Sequence, residues 1–490
     1  MKKFENHVQE IKYKVQKELI KAELNDNLIN ELLLIPKRII PGPIANTRCC
    51  IYKERAIINE RIKNMLYQYG DEIIDVIDIA CDECPIDRFS VTEACRGCLA
   101  HHCIEACPVD AIDIINKRAV INQKKCIECG RCSKVCQFNA ISDVRRPCIK
   151  SCKIGAIDID KETKKAIIDR DKCISCGECV YKCPFGAISD KSQMLPLVRL
   201  LRNNNKNCHL YAVVAPSIAV QYDNVTIEQI NHALKKIGFH MVVEAALGAD
   251  IAAVTEAGLL EEELKHKAFV TTSCCPAFVS LIEKKYPEFI ENISSTASPM
   301  IITSRLIKEK DSKAKVVFIG PCTAKKEEAA KENYRSIIDY TISFEEMRAL
   351  IDAYEIDIEN IDEEPIPNAS YFGRLFARSG GVSGAMEKAI EQYNIQVELK
   401  PVVCSGIAEC EKALKMAKAG KLNGNFIEGM ACEGGCINGP LSMSHKTKSR
   451  NDIENYGKKS DKHTLCQTTF MPDSSKVIMS RFIKTADSTI

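Results

Sequence analysis

At 490 residues the chain is long enough for about three domains, each with its own core. Its 68 Lys and Arg against 66 Asp and Glu leave a formal charge of +2, which excludes the basic excess of a nucleic-acid-binding protein. No run of about 18 apolar residues occurs, and the opening MKKFENHVQEIKYK lacks the apolar core of a signal peptide, so a cytoplasmic protein with no membrane partner is expected.

Phe4, Val8, Ile11, Val15 and Leu19 recur at helical spacing, predicting a helix within residues 4–33. Pro36 and the Pro41-Gly42-Pro43 turn are expected to end it, with a second helical stretch running to about residue 80. Residues 1–80 therefore read as a helical N-terminal region packed against the segment that follows. Cys49 and Cys50 lie within it, and the sequence assigns them no role.

From 81 to 190 the chain repeats itself. CIEACPVDAI (103–112), CSKVCQFNAI (132–141), CIKSCKIGAI (148–157) and CVYKCPFGAI (179–188) share the form Cys-x3-Cys-x3-Ala-Ile. Twenty-seven cysteines in a large chain without an export signal point to metal ligation over disulfides. The clearest run, Cys173-x2-Cys176-x2-Cys179-x3-Cys183-Pro184, has the spacing of bacterial ferredoxins. There, three cysteines of one unit and the last cysteine of its partner hold each [4Fe–4S] cube.

Unit one offers Cys95, Cys98, Cys103 and Cys107, and unit two Cys126, Cys129, Cys132 and Cys136. Unit four is complete, but unit three keeps only Cys148 and Cys152. Cys81 and Cys84 can supply its missing pair, giving sixteen ligands, enough for three to four [4Fe–4S] clusters, one of them built from Cys81, Cys84, Cys148 and Cys183. His101 and His102 fall in the Cys98–Cys103 gap, but a cysteine already fills that ligand position. Short strands at Arg118–Ile121 and Ala166–Asp169 suit a ferredoxin-like βαβ pair. Each four-thiolate cube adds about −2, so the loaded protein is expected to be acidic despite its formal charge.

Beyond 190 the texture becomes α/β. Leu210–Val214, Phe239–Val243, Phe269–Thr272, Val316–Ile319 and Pro401–Val403 read as buried strands, with helices such as Thr226–Ile237 and Phe344–Ala353 between them. The fold class expected is thus α+β / α/β multidomain, with ferredoxin-like cluster domains at 81–190 followed by an α/β domain at 208–445. Residues 446–490 read as a polar, loosely ordered tail.

Cysteines in the α/β region are few and sit where strand-end loops are expected. They occur in Thr272-Ser273-Cys274-Cys275-Pro276, in Gly320-Pro321-Cys322-Thr323-Ala324-Lys325, and in Met430-Ala431-Cys432-Glu433-Gly434-Gly435-Cys436. Any one alone reads as a small buried residue. Cys208, Cys404, Cys410 and Cys466 match no ligand position. Gly380-Gly381-Val382-Ser383-Gly384 lacks the lysine of a phosphate loop, so no nucleotide site is expected.

Together the three loops resemble the signature motifs of the [FeFe]-hydrogenase catalytic domain over about 208–440, and the upstream region resembles the accessory domains of its monomeric modular members. The resemblance implies an H-cluster, a [4Fe–4S] cube joined through one cysteine to a two-iron subsite carrying CO, cyanide and a dithiolate. By it, Cys275, Cys322, Cys432 and Cys436 ligate the cube, Cys436 bridges, and Cys274 is a free proton-relay thiol. Lys325 contacts a cyanide, Ala215, Pro216 and Ser217 form a loop at the subsite, and Met430 lies beside it. Glu256, Ser294 and Glu328 match relay or supporting positions.

The family's next outward glutamate is replaced by Leu259, leaving Glu261 or Glu262 as substitutes. Gly320, Ala277-Phe278, Asn438-Gly439-Pro440 and Met300 also depart from the commonest pattern and resemble a second branch of clostridial-type enzymes. The activity implied is reversible H2 oxidation and proton reduction, with ferredoxin or a similar carrier and the two-iron maturation proteins as partners. The alternative is a non-catalytic relative, an H2 sensor or an iron–sulfur assembly factor; the latter lack the thiol at the Cys274 position.

Overall fold

The computed structural model describes residues 4–66, 72–160, 162–203, 208–222, 224–367, 369–446, 448–466 and 479–481. The chain divides into two compact units. One comprises Met1–Asp75, Asp171–Gly177 and Ser189–Ile490; the other comprises Val76–Arg170 and Glu178–Ile188.

The smaller unit is built from short antiparallel pairs. Phe89–Val91 pairs with Ile141–Asp143, Ile112–Ile115 with Arg118–Ile121, and Ile157–Ile159 with Ala166–Ile168. Helices of four or five residues, His102–Glu105, Arg131–Val135, Pro147–Ser151 and Glu178–Lys182, carry Cys103, Cys132, Cys148 and Cys179, the third cysteine of each complete unit and the first of unit three. With so little secondary structure, its core is small: Phe89, Ile112, Ala119, Ile121 and Ile141 pack directly against cysteine side chains. Such a core stands only if something fills the space between the thiols.

The larger unit contains two parallel sheets. One has the strand order Met241–Glu244, His209–Val214, Ala314–Ile319, Tyr340–Ile342; the other has the order Val270–Thr271, Phe426–Met430, Pro401–Ser405. Strand residues such as Val213, Val214, Val316 and Val317 are fully buried, as expected of parallel strands covered on both faces. The expected helices start where the sequence caps them: Thr226 with Gln229, and Ser343 with Glu346, form reciprocal capping boxes. Two strands, Tyr340–Ile342 and Phe426–Met430, were not anticipated from the sequence. The second contains Glu428 and Gly429, which break the pattern of a strand.

The N-terminal region differs from expectation in three ways. The second helix, Ile51–Leu66, does not run to residue 80; Ile74–Val76 forms a short strand instead. Pro36 opens a short helix, Ile35–Ile39, because proline is tolerated in a first turn. The helix His7–Leu24 belongs to the larger unit, where Tyr13 and Ile20 join the main core. It packs on Phe344–Ala353 and Met194–Arg202, and Tyr13 donates to Asp352. Its buried Lys12 lies 3.6 Å from Asp190, beside Lys326, which pairs with both Asp190 and Glu346.

The polar tail is not uniformly loose. Ser449–Lys458 is a helix whose Ile453 and Tyr456 are buried, and Tyr456 donates to the buried Glu244, which Arg374 also pairs at 2.7 Å. Residues 467–478 and 482–490 lie outside the described residues. Among the described residues no helix is long and apolar enough to cross a membrane.

Candidate functional site

In parallel sheets, ligand sites form beyond the C-terminal strand ends, and both sheets of the larger unit send those ends to one cavity. Strand His209–Val214 leads into Ala215, Pro216 and Ser217, and Met241–Glu244 leads into the helix Ala245–His266. Ala314–Ile319 leads to Pro321 and Cys322, Val270–Thr271 to Cys274 and Cys275, and Phe426–Met430 to Cys432. The cavity has a volume of about 80 Å³ and is lined by Ala215, Pro216, Ser217, Ala245, Ala249, Cys274, Cys275, Pro299, Met300, Phe318, Pro321, Lys325, Phe376, Ala377, Met430 and Cys436. Its walls are nearly all apolar, with a few convergent polar groups, as small-molecule and cofactor sites are.

The loops hold their shape for identifiable reasons. Cys275 and Cys322 sit at the N-caps of Pro276–Lys285 and Thr323–Ala330, so each helix start fixes where its cysteine stands. The Cys432–Cys436 turn passes through Gly434 at φ +82° and Gly435 at φ +101°, conformations that side chains resist. Gly429, one residue before Met430, lies so close to Phe278 that a Cβ would stand 2.3 Å from its ring. Gly320 leaves room for Phe318, whose ring would lie 2.7 Å from a Cβ there, so Phe318 occupies the space a longer side chain at 320 would need.

Burial and mutual charge push up the thiols of Cys322, to about 11, and Cys436, to about 12; Cys432 rises well above its ordinary value for the same reasons. Thiols so placed cannot ionise together unless cations lie among them, which is what an iron–sulfur cluster provides. Cys274 is raised as well, by burial and then by Cys275, Glu256 and Cys436, with Lys325 acting in the opposite direction. The buried hydroxyl of Ser217 on the cavity wall has no hydrogen-bond partner among the described residues, leaving a donor aimed at an occupant. No three His, Cys, Asp or Glu side chains among the described residues converge as a single ion would require. The donor set fits a multi-iron group.

The candidate relay residues fall into two groups. Glu256 is buried and accepts a hydrogen bond from Ser294, while its Oε1 has no partner among the described residues. Burial first, and then the charges of Glu263 and Glu428, raise its carboxyl to about 8. Glu328 is not with them: it accepts from Lys325 at 2.6 Å and from Ser298 at 3.1 Å. Lys325 thus stands in the cavity with a carboxylate behind it, which raises its own affinity for the proton even though burial opposes this. Phe318, Phe376 and Ala377 line the cavity without having been singled out; no motif marks Phe376 or Ala377.

The segment Asp171–Gly177 belongs to the larger unit. The Thr323 hydroxyl donates to the Ser175 carbonyl at 2.5 Å, and Lys284 donates to that of Cys173 at 2.6 Å. Cys176 contributes to the charge felt by Cys432.

In the smaller unit the thiols group crosswise. A cavity is lined by Cys126, Cys129 and Cys132 together with Cys107 of the preceding repeat. Cys103 feels Cys98 and Cys136. Cys148 is raised to about 12 by burial and then by Cys183, Cys84 and Cys81, the four residues expected to form one site. Arg146, fully buried, donates to Cys81 at 3.6 Å. Cys95 receives the Ala119 amide at 3.4 Å, and Cys152 that of Ala156 at 3.2 Å. Cys179 is buried in this unit.

Residues 208–440 match the family described as "Iron only hydrogenase large subunit, C-terminal domain", and 119–142 and 166–189 match "4Fe-4S binding domain". Iron hydrogenase 1 of Clostridium pasteurianum is 28% identical over 443 residues, 78% of this chain and 75% of the relative. A probable cytosolic Fe-S cluster assembly factor of Aedes aegypti is 25% identical over 279 residues, 46% of this chain and 58% of that relative. Among solved structures, an [FeFe]-hydrogenase variant from Chlamydomonas reinhardtii aligns with a TM-score of 0.44 and 21% identity over 53% of this chain and 86% of its own.

Proposed function

We propose, for a modular [FeFe]-hydrogenase-like chain whose residues 208–440 belong to the iron-only hydrogenase large-subunit family and which carries 4Fe-4S binding domains, that its activity is reversible H2 oxidation and proton reduction. The observation that carries the reading is one apolar cavity whose wall contains the thiols of Cys275 and Cys436, a third thiol at Cys274, and the Lys325 ammonium. Cys275, Cys322, Cys432 and Cys436 would hold the cube, with Cys436 also reaching the two-iron subsite. Ser217 and Lys325 would donate hydrogen bonds to acceptor groups of that subsite. When bound, the H-cluster supplies the redox-active metal that takes up or releases the two electrons of H2.

The protein's part is to exclude water, hold the group, and move protons and electrons. Ala245, Ala249, Met300, Phe318 and Phe376 keep the cavity dry. Cys274 Sγ exchanges a proton with the cavity and with Glu256, whose charge it feels. Ser294 steadies the Glu256 carboxyl, and its free Oε1 is available to a water or a proton. Beyond Glu256, Leu259 is 39% exposed and carries no proton.

Glu261 and Glu262 are exposed, with Glu262 tied to Lys265 and close to His266. Glu263 is a better outer carrier than either. It lies two helical turns from Glu256 on the same face, is felt there electrostatically, and pairs with Lys267 at 3.3 Å near solvent. Electrons would arrive through the ferredoxin-like clusters, with the Cys173–Cys176 loop beside Cys432 as the last protein segment on that route. A ferredoxin-type carrier is the partner this wiring suits.

A second reading is kept by one observation, the similarity to an iron–sulfur assembly factor. Production together with the two-iron maturation proteins separates the two. The hydrogenase reading expects infrared bands of metal-bound CO and cyanide and H2 evolution from a reduced donor. A protein loaded only with cubes under those conditions overturns it.

A further inference from the structure

Seven cysteines are assigned to no cluster, and two of them, Cys49 and Cys50, form an accessible pair: Cys49 is exposed, Cys50 half-buried, and their sulfurs lie 3.9 Å apart. Cys50 immediately precedes the 16-residue helix Ile51–Leu66, and its sulfur accepts from the backbone amides of Lys53 and Tyr52. These amides, the neighbouring thiol and the Lys53 charge hold the Cys50 thiol below its ordinary value.

The loop before the pair is fastened from both sides. Oε1 of the buried Glu54 accepts from the amides of Asn46 at 2.9 Å, Thr47 at 2.5 Å and Arg48 at 3.2 Å, and from the Thr47 hydroxyl at 2.9 Å. Arg55 donates to the carbonyls of Ile40 and Pro41, both at 2.9 Å. The backbone leading into the dithiol is therefore held in place.

We propose that Cys49 and Cys50 form a thiol–disulfide exchange site for low-molecular-mass disulfides of the glutathione type. Cys50 is the attacking residue and Cys49 the resolving one. Cys50 Sγ, as thiolate, forms a bond to one sulfur of the disulfide; the disulfide bond breaks, and the departing thiolate takes up the proton that Cys50 released. Cys49 Sγ then bonds to Cys50 Sγ and expels the second small thiol, which leaves with the Cys49 proton. Two electrons and two protons pass in all from the pair to the disulfide. Adjacent Cα atoms are only about 3.8 Å apart, shorter than the span of an ordinary disulfide, so the closed pair is strained and easily reduced. The site is thus suited to reversible exchange. It does not rest on the hydrogenase reading, since it uses none of the proposed cluster ligands.

The test uses the cluster-loaded full chain under anaerobic conditions. Glutathione disulfide is added, and the modified cysteines are located by alkylation and peptide mass spectrometry. Modification is expected at Cys49 and Cys50 before Cys208 or Cys466. Cys49→Ser should trap glutathione on Cys50, and Cys50→Ser should slow the reaction about tenfold. Phenylarsine oxide should bind with about one equivalent per chain and lose that binding in either variant. H2 turnover of the untreated variants should match the parent. Modification of Cys49 and Cys50 no faster than that of Cys208 and Cys466, or a Cys50→Ser chain that reacts like the parent, overturns the proposal.

Discussion

Replacing Glu256 by Gln keeps the size of the side chain and its contact with Ser294 while removing the proton. Burial, opposed only by that hydrogen bond and reinforced by Glu263 and Glu428, raises the carboxyl from 4.5 to about 8. At ~1.4 kcal/mol per pH unit, the protein disfavours the ionised form by about 5 kcal/mol. The carboxyl is then about nine-tenths protonated at pH 7. Its sign in stability follows. The unfolded glutamate ionises above 4.5 while the folded one stays protonated up to about 8, so its contribution is present below 4.5 and is lost as pH rises through that window.

For turnover, proton reduction draws on the protonated carboxyl and should decline above about pH 8. H2 oxidation needs the ionised acceptor and should decline below it. Glu256→Gln should lower both rates by about 10²–10⁴ and erase both limbs. The assays are H2 evolution and uptake across pH, with an infrared carboxyl band titrating near 8 in the parent and missing in the variant. A Gln variant that keeps more than about a third of parental turnover, with unchanged pH limbs, would refute the relay.

Cys274→Ala should remove nearly all turnover while the CO and cyanide infrared bands remain; full activity would mean the proton travels elsewhere. Glu263→Gln should lower the midpoint of the Glu256 carboxyl band, because a like charge is removed, and slow turnover about tenfold. Glu261→Gln and Glu262→Gln should change neither, and the opposite pattern would return the outer relay to those residues. Cys148→Ser should cost about four irons per chain by metal analysis, since Cys148 sits with Cys81, Cys84 and Cys183; unchanged iron would dissolve that site.

What the sequence revealed and what it hid divide along physical lines. Cysteine spacing is local chemistry, because a tight turn must aim three thiolates at one cube, and the crosswise grouping of Cys107 with Cys126, Cys129 and Cys132 follows the repeat pairing. Capped helices such as Ile227–Ile237 and Phe344–Ala353 were equally legible. The strand Phe426–Met430 was not. Glu428 is buried in it only because the Gly380 amide, the Ser383 amide and the Ser383 hydroxyl all donate to its carboxylate, and those partners lie more than forty residues away in sequence. Phe376 and Ala377 reach the cavity for the same kind of tertiary reason. The placement of His7–Leu24 depends on Asp190, Glu345 and Asp352 supplying partners for Lys12 and Tyr13, which no local pattern announces.

The relay also bears on the choice between catalyst and assembly factor. A protein that holds or transfers iron–sulfur clusters needs thiols and access. It has no use for a buried carboxyl raised to about 8 beside Cys274, the thiol proposed to ligate nothing. Burying Glu256 with one oxygen unsatisfied costs stability throughout the neutral range, and replacement by an apolar residue would relieve that cost. The sacrifice is understandable if protons must cross an apolar wall at that point. Glu256 lies on the same helix that lines the cavity with Ala245 and Ala249, so the element that walls the site would also carry the proposed first proton stop outside it. Apolar cavity, Cys274 thiol and proton-holding Glu256 carboxyl lie in one arrangement, and the proposed proton-coupled redox chemistry would use all three.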